Sequence, residues 1–292
     1  MMITARAWAA LMVAAALAGC GAPAHKESAS KPVAAAPATT PSSMPDTAGP
    51  GAPPRGGGAG YIPVGTLEMM AVLPPAPRKG DATDEADRRI FRETRALQGT
   101  PRWEMASGDA QLGSAQMLQH FACSLDIDLA PQQAPRMVQM LQKATRDAAQ
   151  AMARAKDFYQ RQRPYNIDEG PTCRPREETG RSFDYPSGHA TAGWTWGLVL
   201  AQIAPERAVP VLERGRAIGD SRVICGVHNA SAVEGARLLV SATLSVVMGT
   251  EAYQSDLAAA RQELAALRAQ PHVTPEPQRC EVERQLVAIQ PR

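Results

Sequence analysis

The sequence predicts an all-α fold, a single helical-bundle domain set behind a long N-terminal leader. Three observations predict it. From Asp84 onward apolar residues recur in steps of three and four, the spacing of one face of a helix. No stretch alternates with period two for long enough to make a strand. The chain has 292 residues, 44% of them hydrophobic, which suffices to bury one large core. Composition also excludes function classes. A formal net charge of +2 and an aromatic content of 4% offer neither the basic surplus nor the stacking platform of a nucleic-acid binder.

The elements follow in order. Residues 1–20 read MMITARAWAALMVAAALAGC, with Arg6 as a short positive region and Ala7 to Ala18 as an apolar run of signal-peptide length. The run ends in Leu17-Ala18-Gly19-Cys20, which resembles the lipobox of bacterial lipoprotein signals. That likeness implies a lipidated Cys20, hence a membrane partner through the lipid anchor. Gly21, rather than Asp, follows the cysteine, which favours a periplasmic protein held on the outer membrane. Residues 21–60 contain eight Pro, seven Gly and ten Ala, so they cannot bury a core and are expected to form a disordered tether. As a flexible coil such a tether spans on the order of 35 Å. The domain is expected over residues 61–270, followed by a tail at 271–292 to which the pattern assigns no role.

Within the domain, Met137, Met140, Leu141, Ala144, Ala148, Met152, Ala155 and Tyr159 trace one face of a long helix that should end before Pro164. Further helices are expected at about 84–98, 107–122, 188–203, 206–219, 228–249 and 251–269. The runs Ala192 to Ala204 and Leu238 to Gly249 fall short of the roughly 20 apolar residues that span a bilayer and read as buried helices. Cys123, Cys173, Cys225 and Cys280 permit two disulfides in three connectivities, and the spacing does not choose among them. No Cys-x-x-Cys or His-x-x-x-His pair points to a metal site.

Three motifs converge on oxyanion chemistry. In Lys156-x6-Arg163-Pro164, two cations lie seven residues apart, about two turns on one side of a helix, where both face one anion. In Tyr185-Pro186-Ser187-Gly188-His189, Ser187 is placed to cap the next helix. Gly188 and His189 then offer free backbone N–H groups at its start. In Ser221-Arg222-x5-His228, the planar guanidinium of Arg222 suits two phosphate oxygens, and a neutral imidazole such as His228 can attack phosphorus.

In this order and spacing the motifs resemble the signature of the type 2 phosphatidic acid phosphatase (PAP2) superfamily, and within it the bacterial class A non-specific acid phosphatases. Leu73-Pro74-Pro75, Ser187 to Trp194 and Ser221 to Gly226 extend the likeness, which covers about residues 67–265. The resemblance implies a periplasmic hydrolase acting on small-molecule phosphate monoesters of broad range, with no cofactor and no metal. Lys156, Arg163, Ser187, Gly188 and Arg222 would bind the phosphate, His228 would be the nucleophile, and His189 the general acid and base. Members of the class often associate as homo-oligomers, and no feature here sets the oligomeric state.

One position departs from the pattern. The third motif of the family continues through three residues to an Asp that holds the nucleophilic imidazole; here that position is Ala232. Ser231, a backbone carbonyl or a carboxylate from elsewhere in the chain remain as replacements, and Glu234 is set to pair with Arg237 instead. Two alternatives accompany this reading. One is a vanadate-dependent haloperoxidase-like enzyme, which uses the same anion pocket. The other, prompted by Ala232, is a non-catalytic phosphate-binding lipoprotein.

Overall fold

The structure is a computed structural model, and it describes residues 59–291. The leader at 1–20, with Cys20, and all but the last two residues of the linker lie outside the described residues. Among the described residues the secondary structure is helical, with no strand. The helices are α1 (Ala82–Thr94), α2 (Pro101–Gly108), α3 (Ser114–Leu125), α4 (Pro135–Tyr159), α5 (Gly188–Ile203), α6 (Ala208–Ile224), α7 (Ala230–Val247), α8 (Glu251–Arg268) and α9 (Pro277–Val287).

Local chemistry sets several of the starts. Thr100, Ser187 and Thr250 each accept a backbone N–H three residues on, capping α2, α5 and α8. Pro101, Pro135 and Pro277 stand in the first turns of α2, α4 and α9, where a missing N–H costs nothing. The main core joins α3, α4, α5, α6, α7 and α8 around Phe121, Met137, Met140, Leu141, Trp196 and Leu244. Helix α7 is long and apolar enough to cross a membrane by length and composition, but half of it is buried inside this bundle.

The α5–α6 pair is the closest contact, and glycine makes it so. A Cβ on Gly193 would come within 2.6 Å of Ile218, and one on Gly215 within 2.9 Å of the Gly193 carbonyl. The two helices are antiparallel, so the start of α5 lies beside the end of α6. The start of α7, five residues further on, lies at the same end. This arrangement collects the second and third motifs in one place.

The sequence expectations require four corrections. The helix expected at 107–122 is two helices, α2 and α3, separated at residues 109–113. There the Asp109 carboxylate leaves the helical path to bind Arg214 and Ser221. Helix α1 ends at Thr94, earlier than expected, and a short 3-10 turn at Arg95–Leu97 follows. Helix α6 does not stop at Gly219 but runs to Ile224, because the Asp220 carboxylate is drawn aside to Arg216 and Arg237. Lastly, α4 ends at Tyr159 with Gln160 in the left-handed region, so Arg163 is in extended backbone rather than on the face of Lys156.

The tail carries structure that its sequence did not announce. Cys280 on α9 meets Cys123 on α3 at disulfide distance, with Cα atoms 5.3 Å apart, and Val287 is buried. Arg102 Nε donates to the Ile289 carbonyl at 3.2 Å, fastening the end of the chain to α2.

Candidate active site

Four helix ends build the site: the last turn of α4, the first of α5, the last of α6 and the approach to α7. Arg222, in the last turn of α6, is 1% exposed. Its Nε and Nη1 have no partner among the described residues. A buried guanidinium with two unused N–H groups is costly unless something else occupies them. Burial, and then the charge of Arg163, lowers the Arg222 pKa to about 10.

A tight turn links Arg222 to His228. Gly226 has φ +73°, and a Cβ there would collide with the Arg95 guanidinium. Arg95 in turn donates to the Val223 and Ile224 carbonyls at the end of α6. It also reaches the Pro171 carbonyl in the loop between α4 and α5. Cys173 in that loop stands at disulfide distance from Cys225, with Cα atoms 4.8 Å apart. Thus the middle of the third motif is tied to that loop.

The rings of the two histidines are held differently. His228 is buried, with Nδ1 2.9 Å from Asp184 Oδ1 and Nε2 3.1 Å from Arg163 Nη1. A guanidinium can only donate, so Nε2 is the ring's lone-pair nitrogen and Nδ1 carries the proton. His189, in the first turn of α5, has Nε2 3.1 Å from the Ala110 carbonyl. A carbonyl can only accept, so Nε2 carries the proton and Nδ1 is left free. Both rings have pKa values well below the ordinary imidazole range. Desolvation is the main cause; Arg163, Lys156 and Arg222 add to it at His228, and Arg222 and His228 add to it at His189.

Arg163 donates from Nε to the Ser182 carbonyl at 2.6 Å and from Nη1 to the Val227 carbonyl at 2.6 Å. Lys156, at the end of α4, donates to the Phe183 carbonyl. Burial, followed by the charge of Arg163, lowers the Lys156 ammonium to about 7. Ser187 caps α5 through its hydroxyl and donates its backbone N–H to the Ala232 carbonyl at 2.9 Å. A Cβ on Gly188 would meet only Met152 Cε, at 3.5 Å. No protein neighbour therefore demands a glycine there.

The structure thus places Lys156, Arg163, Ser187, Gly188, His189, Arg222 and His228 at one end of the bundle, although the first motif reaches it by a turn and not by helical periodicity. Ser221 faces the other way, donating to Asp109 and accepting from Arg102 in a buried network. Ser231, weighed as a partner for His228, instead donates to Asp87 and accepts from Arg161. Glu234 pairs with Arg237 at i+3, as its spacing suggested.

Two residues were missed by sequence reasoning. Asp184 is wholly buried against His228, and Arg161 is paired with Asp84 at 3.0 Å, Asp87 at 2.9 Å and Asp184 at 3.4 Å. Burial pushes the Asp184 carboxyl up, while Arg161, the donors of Asn229 and Arg163 pull it down. The gap at Ala232 was the signal that such a carboxylate was needed, but nothing in the spacing pointed to residue 184.

Comparisons with known proteins give the family. The family model of the PAP2 superfamily matches residues 141–255, which include both histidines and all three cations. The chain is 34% identical over 218 residues to an acid phosphatase of Zymomonas mobilis, covering 74% of this chain and 82% of that protein. It is 32% identical to a non-specific acid phosphatase of Providencia stuartii and 33% identical to one of Salmonella typhimurium. These cover 69% and 70% of this chain and 83% of each relative. The class is that of the PAP2 superfamily. Within it, the chain belongs to the family of the bacterial non-specific acid phosphatases.

Proposed function

We propose that this protein hydrolyses small-molecule phosphate monoesters through a phosphohistidine on His228. The hydrolase class follows from the family; the roles of the residues follow from the site. The observation that carries the mechanism is the His228 ring, whose Nε2 lone pair is turned into a cluster of three buried cations.

In the first step Nε2 of His228 attacks phosphorus while the ester oxygen departs with a proton from Nδ1 of His189. In the second, water attacks the phosphohistidine, gives a proton to His189 Nδ1 and releases phosphate, restoring the His228 lone pair. Lys156, Arg163 and Arg222 neutralise the phosphoryl oxygens, and the Ser187 hydroxyl and Gly188 N–H complete the cradle. The unused Nε and Nη1 of Arg222 leave charged donors free for those oxygens. Phosphate brought into this site offsets the cations, so the His189 pKa rises on substrate binding and the ring can carry the proton it must donate.

The reaction needs no more than positioning and charge, so it is assigned to these side chains without a metal or cofactor. Export through residues 1–20 and lipid attachment at Cys20 belong to the same reading. The two cysteine pairs at disulfide distance fit an oxidising compartment such as the periplasm. Loss of membrane association on Cys20→Ser, followed by cell fractionation, tests the anchor.

The enzymatic test is p-nitrophenyl phosphate hydrolysis from pH 4 to 8 in EDTA, beside His228→Ala. Turnover that survives the chelator and disappears in the variant is expected. Equal activity in the two proteins would remove His228 as the nucleophile. Phosphate binding by a folded wild type without turnover would favour the non-catalytic alternative.

A further inference from the structure

We infer that Asp184 is the positioning carboxylate of His228, supplying from the loop before α5 what Ala232 cannot supply from α7. The inference rests on the phosphatase reading above and goes beyond it, because no motif of the signature contains residue 184.

The geometry is specific. Asp184 Oδ1 accepts from His228 Nδ1 at 2.9 Å and from the Asn229 backbone N–H at 3.1 Å. Oδ2 accepts from Asn229 Nδ2 at 2.8 Å and faces Arg161 Nη1 at 3.4 Å. Every group around the carboxylate is a donor, so both oxygens must be acceptors. That forces the proton of the neutral imidazole onto Nδ1 and keeps the lone pair on Nε2, where Arg163 meets it. When His228 bonds to phosphorus its ring gains positive charge, and a buried carboxylate at Nδ1 stabilises that charge more than any carbonyl would.

Ala232 could not do this work. Its methyl is 0% exposed and packs among Met152, Tyr185 and Leu239. What it contributes instead is its carbonyl, which accepts the Ser187 N–H.

The segment around Asp184 supports the assignment. Ser182 offers its carbonyl to Arg163, Phe183 offers its carbonyl to Lys156, and Asp184 offers its side chain to His228. Three consecutive residues therefore each orient one member of the site. The Asp184 N–H donates back to the Arg161 carbonyl at 2.8 Å, which holds the segment against the stretch that leaves α4.

Asp184→Asn is the direct test. Its amide has one acceptor, yet four donors converge on the carboxylate, two on each oxygen, so its NH2 must face two of them. Facing His228, it would move the ring proton to Nε2 and occupy the attacking nitrogen. The expected result is a kcat for p-nitrophenyl phosphate lowered on the order of 10²- to 10⁴-fold, with KM and the inhibition constant of inorganic phosphate within about threefold of wild type. A kcat within threefold of wild type would overturn the inference.

A second measurement does not depend on the variant folding. Nitrogen-15 NMR of the histidine-labelled, phosphate-free wild type should show His228 as the Nδ1–H tautomer, its N–H resonance shifted downfield. An Nε2–H tautomer would overturn the assignment. If the wild type failed to turn over, the phosphatase reading would fall, and the tautomer would still decide whether Asp184 positions the ring.

Discussion

The two histidines of the site sit in the same cluster of cations, yet one is backed by a carboxylate and the other by a backbone carbonyl. His228 leans on Asp184, and His189 on the carbonyl of Ala110. The difference matches the two tasks proposed for these rings. A nucleophile must hold its lone pair in place and then bear a positive charge, and an anion behind Nδ1 serves both needs. An acid that must give up its proton and take it back gains from a neutral partner, which fixes the ring without trapping the proton. Even so, a buried carboxylate is the chain neighbour of the residue that holds His189. Asp109 precedes Ala110, and its side chain is spent on Arg214 and Ser221. Near one ring, then, a buried aspartate meets the ring; near the other, it ties the segment that carries the partner to two side chains of α6.

The largest effect should come from the nucleophile. His228→Ala is expected to lower turnover by roughly 10⁴-fold or more, measured with p-nitrophenyl phosphate at acidic pH. His189→Ala should cost roughly 10²- to 10⁴-fold, and the loss should depend on the leaving group. An alkyl phosphate needs its departing oxygen protonated more than p-nitrophenyl phosphate does, so the variant should be worse on the alkyl ester. Equal losses on both substrates would mean that His189 does not protonate the leaving group.

The two aspartates separate stability from activity. Asp109→Asn strips Arg214 of its main charged partner and leaves it the His120 carbonyl at 2.9 Å and Glu283 at 3.4 Å. Breaking a buried pair costs about 3–5 kcal/mol. Calorimetry should therefore show a melting temperature lower by on the order of 10 °C. Asp184→Asn should melt closer to wild type, because Arg161 keeps Asp84 and Asp87. A reversal of that ranking would break the comparison.

The smallest effect concerns Lys156, whose pKa is lowered to about 7. The ammonium is charged below that pH and neutral above it. Oxyanion affinity should therefore fall as the pH rises through 7, by a few-fold. Arg163, Asp184 and Asp157 are the charged groups around it. Inhibition by sulfate, which does not titrate in this range, reads the effect without interference from the ligand. Lys156→Arg should remove the inflection, since a guanidinium stays protonated there.

Local rules carried much of the molecule. Ser187 as a cap, Pro135 in a first turn and the apolar spacing along α4 are all decided within a few residues of backbone, and a sequence displays them directly. The cation motifs were legible for a related reason: Arg222 and His228 are joined by one short turn, and Ser187, Gly188 and His189 are contiguous. The failures have physical causes as well. Lys156 and Arg163 looked like neighbours on a helix, but Gln160 adopts a left-handed conformation and the helix stops. A helix was expected to end at about residue 219, but ion pairs with Arg216 and Arg237 hold Asp220 inside the longer helix.

By itself, the sequence determined the helical class, the positions of most helices and which motif residues gather at one end of the bundle. Only the tertiary structure decided how each ring is held. Asp184 reaches His228 across 44 residues and Ala110 reaches His189 across 79. Neither distance belongs to any helical period. These contacts exist because the close glycine packing of α5 on α6 sets the ring-bearing ends side by side. Burial takes Asp184 and His228 out of bulk solvent, so each must find its partner in whatever part of the chain the packing brings near.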